Sequence, residues 1–164
     1  MKIAVIGDGG WGTTLAILLN NKKYSVTMWS VSRGYARYLD KKRFNPKFLP
    51  GVRIPKGIAI TSDLKDAVSG VDIILLAVPS QYMRRVLEKL DSIKITKSAA
   101  FLSVSKGIEH KTLMTMSEVI KDVLGNVKIA VLSGPTISRE VSRNIPAAVV
   151  AASNDTELAK KIQR

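Results

Sequence analysis

"GDGGWGTTLA", residues 7–16, follows the apolar run Ile3-Ala4-Val5-Ile6 and decides how the rest of the chain is read. Gly7, Gly9 and Gly12 fit the spacing G-x-G-x-x-G, which carries a mechanism only when a strand precedes it and a helix follows. The first glycine permits a tight turn. The second lets a pyrophosphate approach the backbone, and the third lets the helix pack close to the strand. The helix start then offers unbonded N–H groups and a partial positive charge to phosphate. A glycine turn that only packs has the same spelling, so context matters. "KIAVIG" reads as a strand buried on both faces, and residues 13–21 as a helix with Leu15, Leu18 and Leu19 on one side.

Strand and helix patterns keep alternating. Residues 24–29, "YSVTMW", read as a second strand and 32–42 as a basic helix. "NPKFLPGVRIPKG", 45–57, has three prolines and two glycines and reads as a loop. A short strand at 58–60 and a short helix at 63–68, with Asp63 near its start, come next. Residues 71–79, "VDIILLAVP", form an apolar strand stopped by Pro79, with Ser80 set to cap a helix over 81–90. Further strands are expected at 99–105, 128–135 and 146–153, and helices at 112–124, 136–143 and 154–164. Gly134-Pro135-Thr136 reads as the start of a helix, with the threonine as cap. Such alternation is the mark of βαβ units. The expected fold is α/β, a doubly wound, mostly parallel Rossmann-like sheet in a single domain over 1–164.

Composition narrows the chemistry. Apolar residues make up 46% of the chain, too many for disorder. No apolar run approaches the roughly 18 residues of a membrane span, and glycine breaks the N-terminal run too early for a signal peptide. With no cysteine, disulfides, thiolate nucleophiles and Cys-based metal sites are excluded, and a cytoplasmic location is expected. A single histidine, His110, rules out a histidine cluster, so no metal site is expected. His110 is assigned no role, and Asp8 and Glu109 read as lone carboxylates without a partner.

The formal charge is +13, and residues 31–56 hold eight cations against the single acid Asp40. That segment is either a solvated basic surface or a field facing phosphates. Tyr35, Tyr38, Phe44 and Phe48 interleave with its cations, as a nucleic-acid surface requires, but nothing there matches a nucleic-acid motif. An NAD site needs an acid at the end of the second strand to hold the ribose hydroxyls. "MWSVSRG", 28–34, supplies none. Ser30, Ser32 and Arg33 suit a 2′-phosphate instead, so NADP(H) is favoured over NAD(H).

Five motifs in order, "GDGGWGTTLA", "NPKFLPG", "VPSQYMRRVL", "VSKGIE" and "LSGPTISREV", resemble the N-terminal domain of NAD(P)-dependent glycerol-3-phosphate dehydrogenase. The resemblance spans essentially all 164 residues. It implies interconversion of dihydroxyacetone phosphate and sn-glycerol 3-phosphate, in phospholipid synthesis. It places Gly10 and Trp11 on the pyrophosphate, Phe48 and Tyr82 at the nicotinamide end, and Ser138 on the cofactor. Lys106 matches a lysine touching cofactor and substrate, and Gly134 and Thr136 match substrate-side positions. Val31 and Ser32 stand where the family often carries a basic residue or histidine, a departure that Arg33 is positioned to cover. Gly9, Pro79, Lys106 and Gly134 each follow a strand, so they are expected on one rim.

The resemblance also puts the family's catalytic lysine in a second, mostly helical domain beyond residue 164. No catalytic residue is therefore assigned here, and any homodimer contacts are expected in that other domain. Two further readings compete. One is a reductase of the 6-phosphogluconate-dehydrogenase or ketopantoate-reductase type, and the other is a non-catalytic nucleotide- or nucleic-acid-binding module.

Overall fold

The computed structural model describes every residue except 94, 97 and 164. Strands β1 (Lys2–Ile6), β2 (Ser25–Trp29), β5 (Ile58–Thr61), β6 (Ile73–Leu76), β7 (Ala100–Ser103), β8 (Lys128–Ser133) and β9 (Val150–Ser153) form one sheet. Its order is β5-β2-β1-β6-β7-β8-β9. Every neighbouring pair is parallel except β8 and β9, which are antiparallel. The order reverses at β1, and the ends of β1, β2 and β6 open a crevice there, as this topology requires.

Period two explains the two cores. Ile3 and Val5 point to one side, with Val26, Met28, Leu75 and Leu102. Ala4 and Ile6 point to the other, with Trp29, Ile74, Leu76 and Phe101. Helix α1 (Gly10–Asn21) covers the first face. Helices α3 (Leu64–Ala67), α4 (Ser80–Asp91) and α5 (Met116–Leu124) cover the second. Helix α2 (Arg33–Lys42) seals the first core through Leu39, and α7 (Thr156–Gln163) does so through Leu158. Helix α6 (Ser138–Val141) is a single turn beside the start of α1.

Several boundaries differ from the sequence reading. The segment 45–57 is not simply a loop: β3 (Phe44–Asn45) pairs antiparallel with β4 (Leu49–Arg53). Pro50 is tolerated because a two-stranded ribbon consists of edges, where a missing N–H costs little. Helix α1 begins at Gly10 rather than at residue 13, so Trp11 and Gly12 lie in its first turn. Ser80 does not cap α4; Pro79 takes the cap position and Ser80 is the first helical residue. Helix α5 starts at Met116, where Thr115 and Glu118 form a reciprocal capping box. Thr136 caps nothing, since α6 begins at Ser138 after Ile137.

Candidate functional site

The glycine turn separates packing from function. A Cβ on Gly7 would lie 2.5 Å from the Ala77 carbonyl oxygen, and one on Gly12 would lie 2.2 Å from that of Gly7. On Gly10 it would meet the Phe48 carbonyl oxygen at 2.6 Å. These three glycines are smaller than any alternative because backbone runs against them. Gly9 is different: a Cβ there meets nothing within 4 Å. It occupies the cap position of α1 with no side-chain cap. The first-turn amides of a helix have no acceptor within it, so here they face the crevice. An uncapped helix start behind an open glycine fits the pyrophosphate of a dinucleotide.

The crevice has a volume of about 810 Å³ and runs along the rim of the sheet. Gly7, Gly9, Gly10, Trp11, Phe48, Pro79, Tyr82, Lys106, Thr136 and Ser138 all line it. Phe48 and Tyr82 are 42% and 59% exposed, and the Phe48 ring packs edge-on against Tyr35 with the Lys47 ammonium over its face. Gly12 is buried behind the turn. Gly134 is held in place by packing, because a Cβ there would come 2.4 Å from the Ala148 carbonyl oxygen. Its own carbonyl accepts a 2.9 Å hydrogen bond from Lys106 Nζ, which ties the ends of β7 and β8 together. Thr14 Oγ1 donates to the Ser138 carbonyl at 3.2 Å and fixes α6 over α1.

Ser32 and Arg33 do not line this crevice. The Ser32 hydroxyl accepts from the Tyr35 amide and caps α2. Arg33 borders a separate shallow depression of about 220 Å³ with Arg37, Asp40 and Thr61. Ser30 is fully buried, and its hydroxyl donates to the Asp8 carboxylate. Asp8 is therefore partnered, and Ser30 is not free for a phosphate. Val31 lines the crevice at the end of β2. Lys47 of the basic segment 31–56 also faces it, as do two cations missed by the sequence reading, Arg85 and Lys89.

Asn45 was missed as well. Fully buried, it donates through Nδ2 to the Asp8 carbonyl at 2.7 Å and to Thr13 Oγ1 at 2.8 Å. Its Oδ1 accepts from the Tyr35 hydroxyl at 2.7 Å and from the Phe48 amide at 3.1 Å. One amide thus locks the glycine turn, α2 and the hairpin together. Burial raises the Tyr35 phenol above its ordinary pKa. The only sequence signal was an asparagine before proline, which reads as a turn.

Glu109 is not a lone carboxylate either. Arg84 grips it with two bonds, Nε to Oε1 and Nη2 to Oε2, each 2.9 Å, and reaches Asp122 at 2.6 Å through Nη1. These bonds, with one from Thr112, hold the Glu109 carboxyl below the usual carboxylate range. The same bonds to Glu109 and Asp122 raise the Arg84 guanidinium. Arg43 likewise leaves the solvated basic surface. Its guanidinium donates to the Ile58 carbonyl at 2.6 Å and pairs with Asp40. Among the described residues no cluster of metal-binding side chains is present, and no helix is long and apolar enough to cross a membrane.

A doubly wound sheet with an open glycine turn at its switch point defines a Rossmann-type domain. Residues 2–159 match the family described as the NAD-dependent glycerol-3-phosphate dehydrogenase N-terminus, and the chain belongs to that family. Two curated relatives are named glycerol-3-phosphate dehydrogenase [NAD(P)+]. The one from Syntrophomonas wolfei is 42% identical over 99% of this chain and 48% of its own length. The one from Geobacter metallireducens is 44% identical, over 99% and 49%. The crystal structure of glycerol-3-phosphate dehydrogenase from Coxiella burnetii superposes with a TM-score of 0.92 at 32% identity, covering 98% of this chain and 49% of that one. The chain thus spans about half the length of the curated relatives it matches. Family membership sets aside the 6-phosphogluconate-dehydrogenase and ketopantoate-reductase alternatives.

Proposed function

We propose that this chain is the cofactor half of a glycerol-3-phosphate dehydrogenase, interconverting dihydroxyacetone phosphate and sn-glycerol 3-phosphate. The observation that carries the reading is Gly9, open to the crevice at an uncapped helix start while its neighbouring glycines are packed. Gly9, Gly10 and Trp11 hold the pyrophosphate by backbone amides, and Gly7 and Gly12 give the turn its shape. Phe48, Pro79 and Tyr82 exclude water from the nicotinamide end, and Ser138 closes the cofactor over α1. The nicotinamide supplies the hydride when bound.

Lys106 is the charged group at the substrate end. Its ammonium neutralises a substrate phosphate or polarises the carbonyl oxygen where negative charge grows. Thr136 and the Gly134 backbone flank it. NADP(H) is preferred over NAD(H): residues 28–34 carry no acid, the nearby Asp8 carboxylate is occupied by Ser30, and Arg33, outside the crevice, opens the helix two residues after the crevice-lining Val31. The resemblance assigns the family's proton-transfer lysine to a second domain, and the chain spans about half the length of its curated relatives. Such a group contributes about 10²–10⁴-fold, so the 164-residue chain should bind cofactor with little or no turnover.

Thermal unfolding tests this directly. NADPH at 100 times its Kd should stabilise the chain by about 2.7 kcal/mol, and added dihydroxyacetone phosphate should leave the NADPH unoxidised. An unfolding curve indifferent to NADPH contradicts the reading of the crevice, and robust turnover contradicts the division of labour.

A further inference from the structure

Helix α4 serves the site through more than one face. Met83, Val86, Leu87 and Leu90 enter the core, while Tyr82, Arg85 and Lys89 look into the crevice. Gln81 and Arg84 take the remaining side, toward the segment 105–115 that leads from β7 to α5. That segment contains Lys106 and no helix or strand ladder, only an isolated antiparallel bridge between Ile108 and Thr115. It is nevertheless held at many points. The Ser105 hydroxyl donates to the carbonyls of Leu76 and Val78. Gln81 donates from Nε2 to the Ile108 carbonyl at 2.9 Å and accepts the His110 amide on Oε1 at 3.1 Å. Arg84 adds its two-pronged grip on Glu109 and reaches Met114 Sδ at 3.8 Å. Within the segment, the Glu109 amide donates to the Met114 carbonyl and the Leu113 amide to the Glu109 carbonyl, both at 2.9 Å.

The chain could be anchored at this point with fewer bonds if only stability were at stake. Exposed ion pairs contribute little. This one is two-pronged, with the side chains of Arg84 and Glu109 29% and 13% exposed, and such pairs fix geometry as well as charge. What it fixes lies three residues away. With the segment against α4, Lys106 Nζ reaches the Gly134 carbonyl at 2.9 Å, and Gly107, at φ +103°, makes the bend between Lys106 and the anchored Glu109.

We propose that Arg84 is the positioning residue for Lys106. With Gln81, it holds the segment 105–115 on α4 through Glu109, so that the ammonium meets the rim at one fixed place. This rests on the reading of Lys106 as the lysine of the cofactor and substrate site.

The test is a double-mutant cycle on NADPH affinity in this chain, with amide exchange as a second readout. Because the resemblance has Lys106 touch the cofactor as well as the substrate, Lys106→Met is expected to weaken NADPH binding about tenfold, the loss of one hydrogen bond to a charged group, and Arg84→Met by a similar factor. The double variant should bind no worse than Lys106→Met alone, because Arg84 acts through the lysine. The amides of Glu109 and Leu113 should exchange faster in Arg84→Met and unchanged in the control Glu88→Gln. Arg84→Lys keeps the charge without the fork, and its intermediate loss supports the same reading if Arg84→Met folds poorly. Wild-type affinity in both Arg84 variants, or additive losses in the double variant, overturns the proposal. Unchanged affinity in Lys106→Met overturns the site reading itself, and the positioning role with it.

Discussion

Asn45 and Asp8 are 37 positions apart, yet the Asn45 side-chain amide donates to the Asp8 carbonyl at 2.7 Å. That bond makes the glycine turn part of a rigid assembly with the hairpin. All four of the bonds described for this amide are used, so no cheap replacement exists. Asn45→Ala should destabilise the chain by about 2–3 kcal/mol, because buried partners left unpaired cost about 1–3 kcal/mol each. Asn45→Asp should be worse, since a carboxylate would face the Asp8 carbonyl. Denaturant unfolding measures both, and a loss below the error of the fit in Asn45→Ala contradicts the assignment.

Two glycines of the same turn give opposite predictions. Gly9→Ala places its Cβ in open space, so stability should change by no more than about 1 kcal/mol. Dinucleotide affinity should nevertheless fall by at least about tenfold, since the added atoms fill the pyrophosphate's place. Gly12→Ala should do the reverse, costing about 1–3 kcal/mol by overpacking against the Gly7 carbonyl. Calorimetry and thermal unfolding on both variants separate the two effects.

Two carboxylates make the segment before α5 sensitive to acid. Arg84 and Thr112 bonds hold Glu109 below the ordinary glutamate value of 4.5, and Thr115 does the same for Glu118. Lys111 adds a weaker attraction to Glu109, and Asp122 shares Arg84 with it. A depressed folded pKa stabilises fully above the unfolded value and is lost as pH falls through the folded one. Melting temperature should therefore drop as pH is lowered below 4.5. Glu109→Gln should flatten that slope, and an unchanged slope would exclude the Arg84–Glu109 pair as its source.

Cofactor preference is the part of the proposal that depends on one side chain. If Arg33 reads the 2′-phosphate, Arg33→Ala should reduce the ratio of NADPH to NADH affinity by at least about tenfold, the range for hydrogen bonds to charged groups. NADH affinity should stay the same. Equal losses for both nucleotides would move the specificity to the crevice cations Arg85 and Lys89.

The architecture was legible where periodicity is strong. Ile73–Leu76 is buried at every position, and such a run followed by proline admits few other readings. The glycine turn was legible because Gly7, Gly9 and Gly12 keep the spacing of a motif with a known mechanism between a strand and a helix. The hairpin was not, because Pro46, Pro50 and Gly51 are turn residues and only the ribbon's two exposed edges make them acceptable. Nor could local patterns show that Glu109 pairs with a residue 25 positions back, or that Ser30 spends its hydroxyl on Asp8. Those partners meet only after the sheet order sets β7 beside β6 and β1 beside β2.

The most direct test of the account is parallel calorimetric titration of the purified chain with NADPH and NADH. The account predicts saturable binding of NADPH at one site, clearly tighter than NADH. Equal affinities would keep the dinucleotide crevice and remove the role given to Arg33. Binding of neither nucleotide would contradict the central claim that Gly9 and the uncapped start of α1 form a working dinucleotide site.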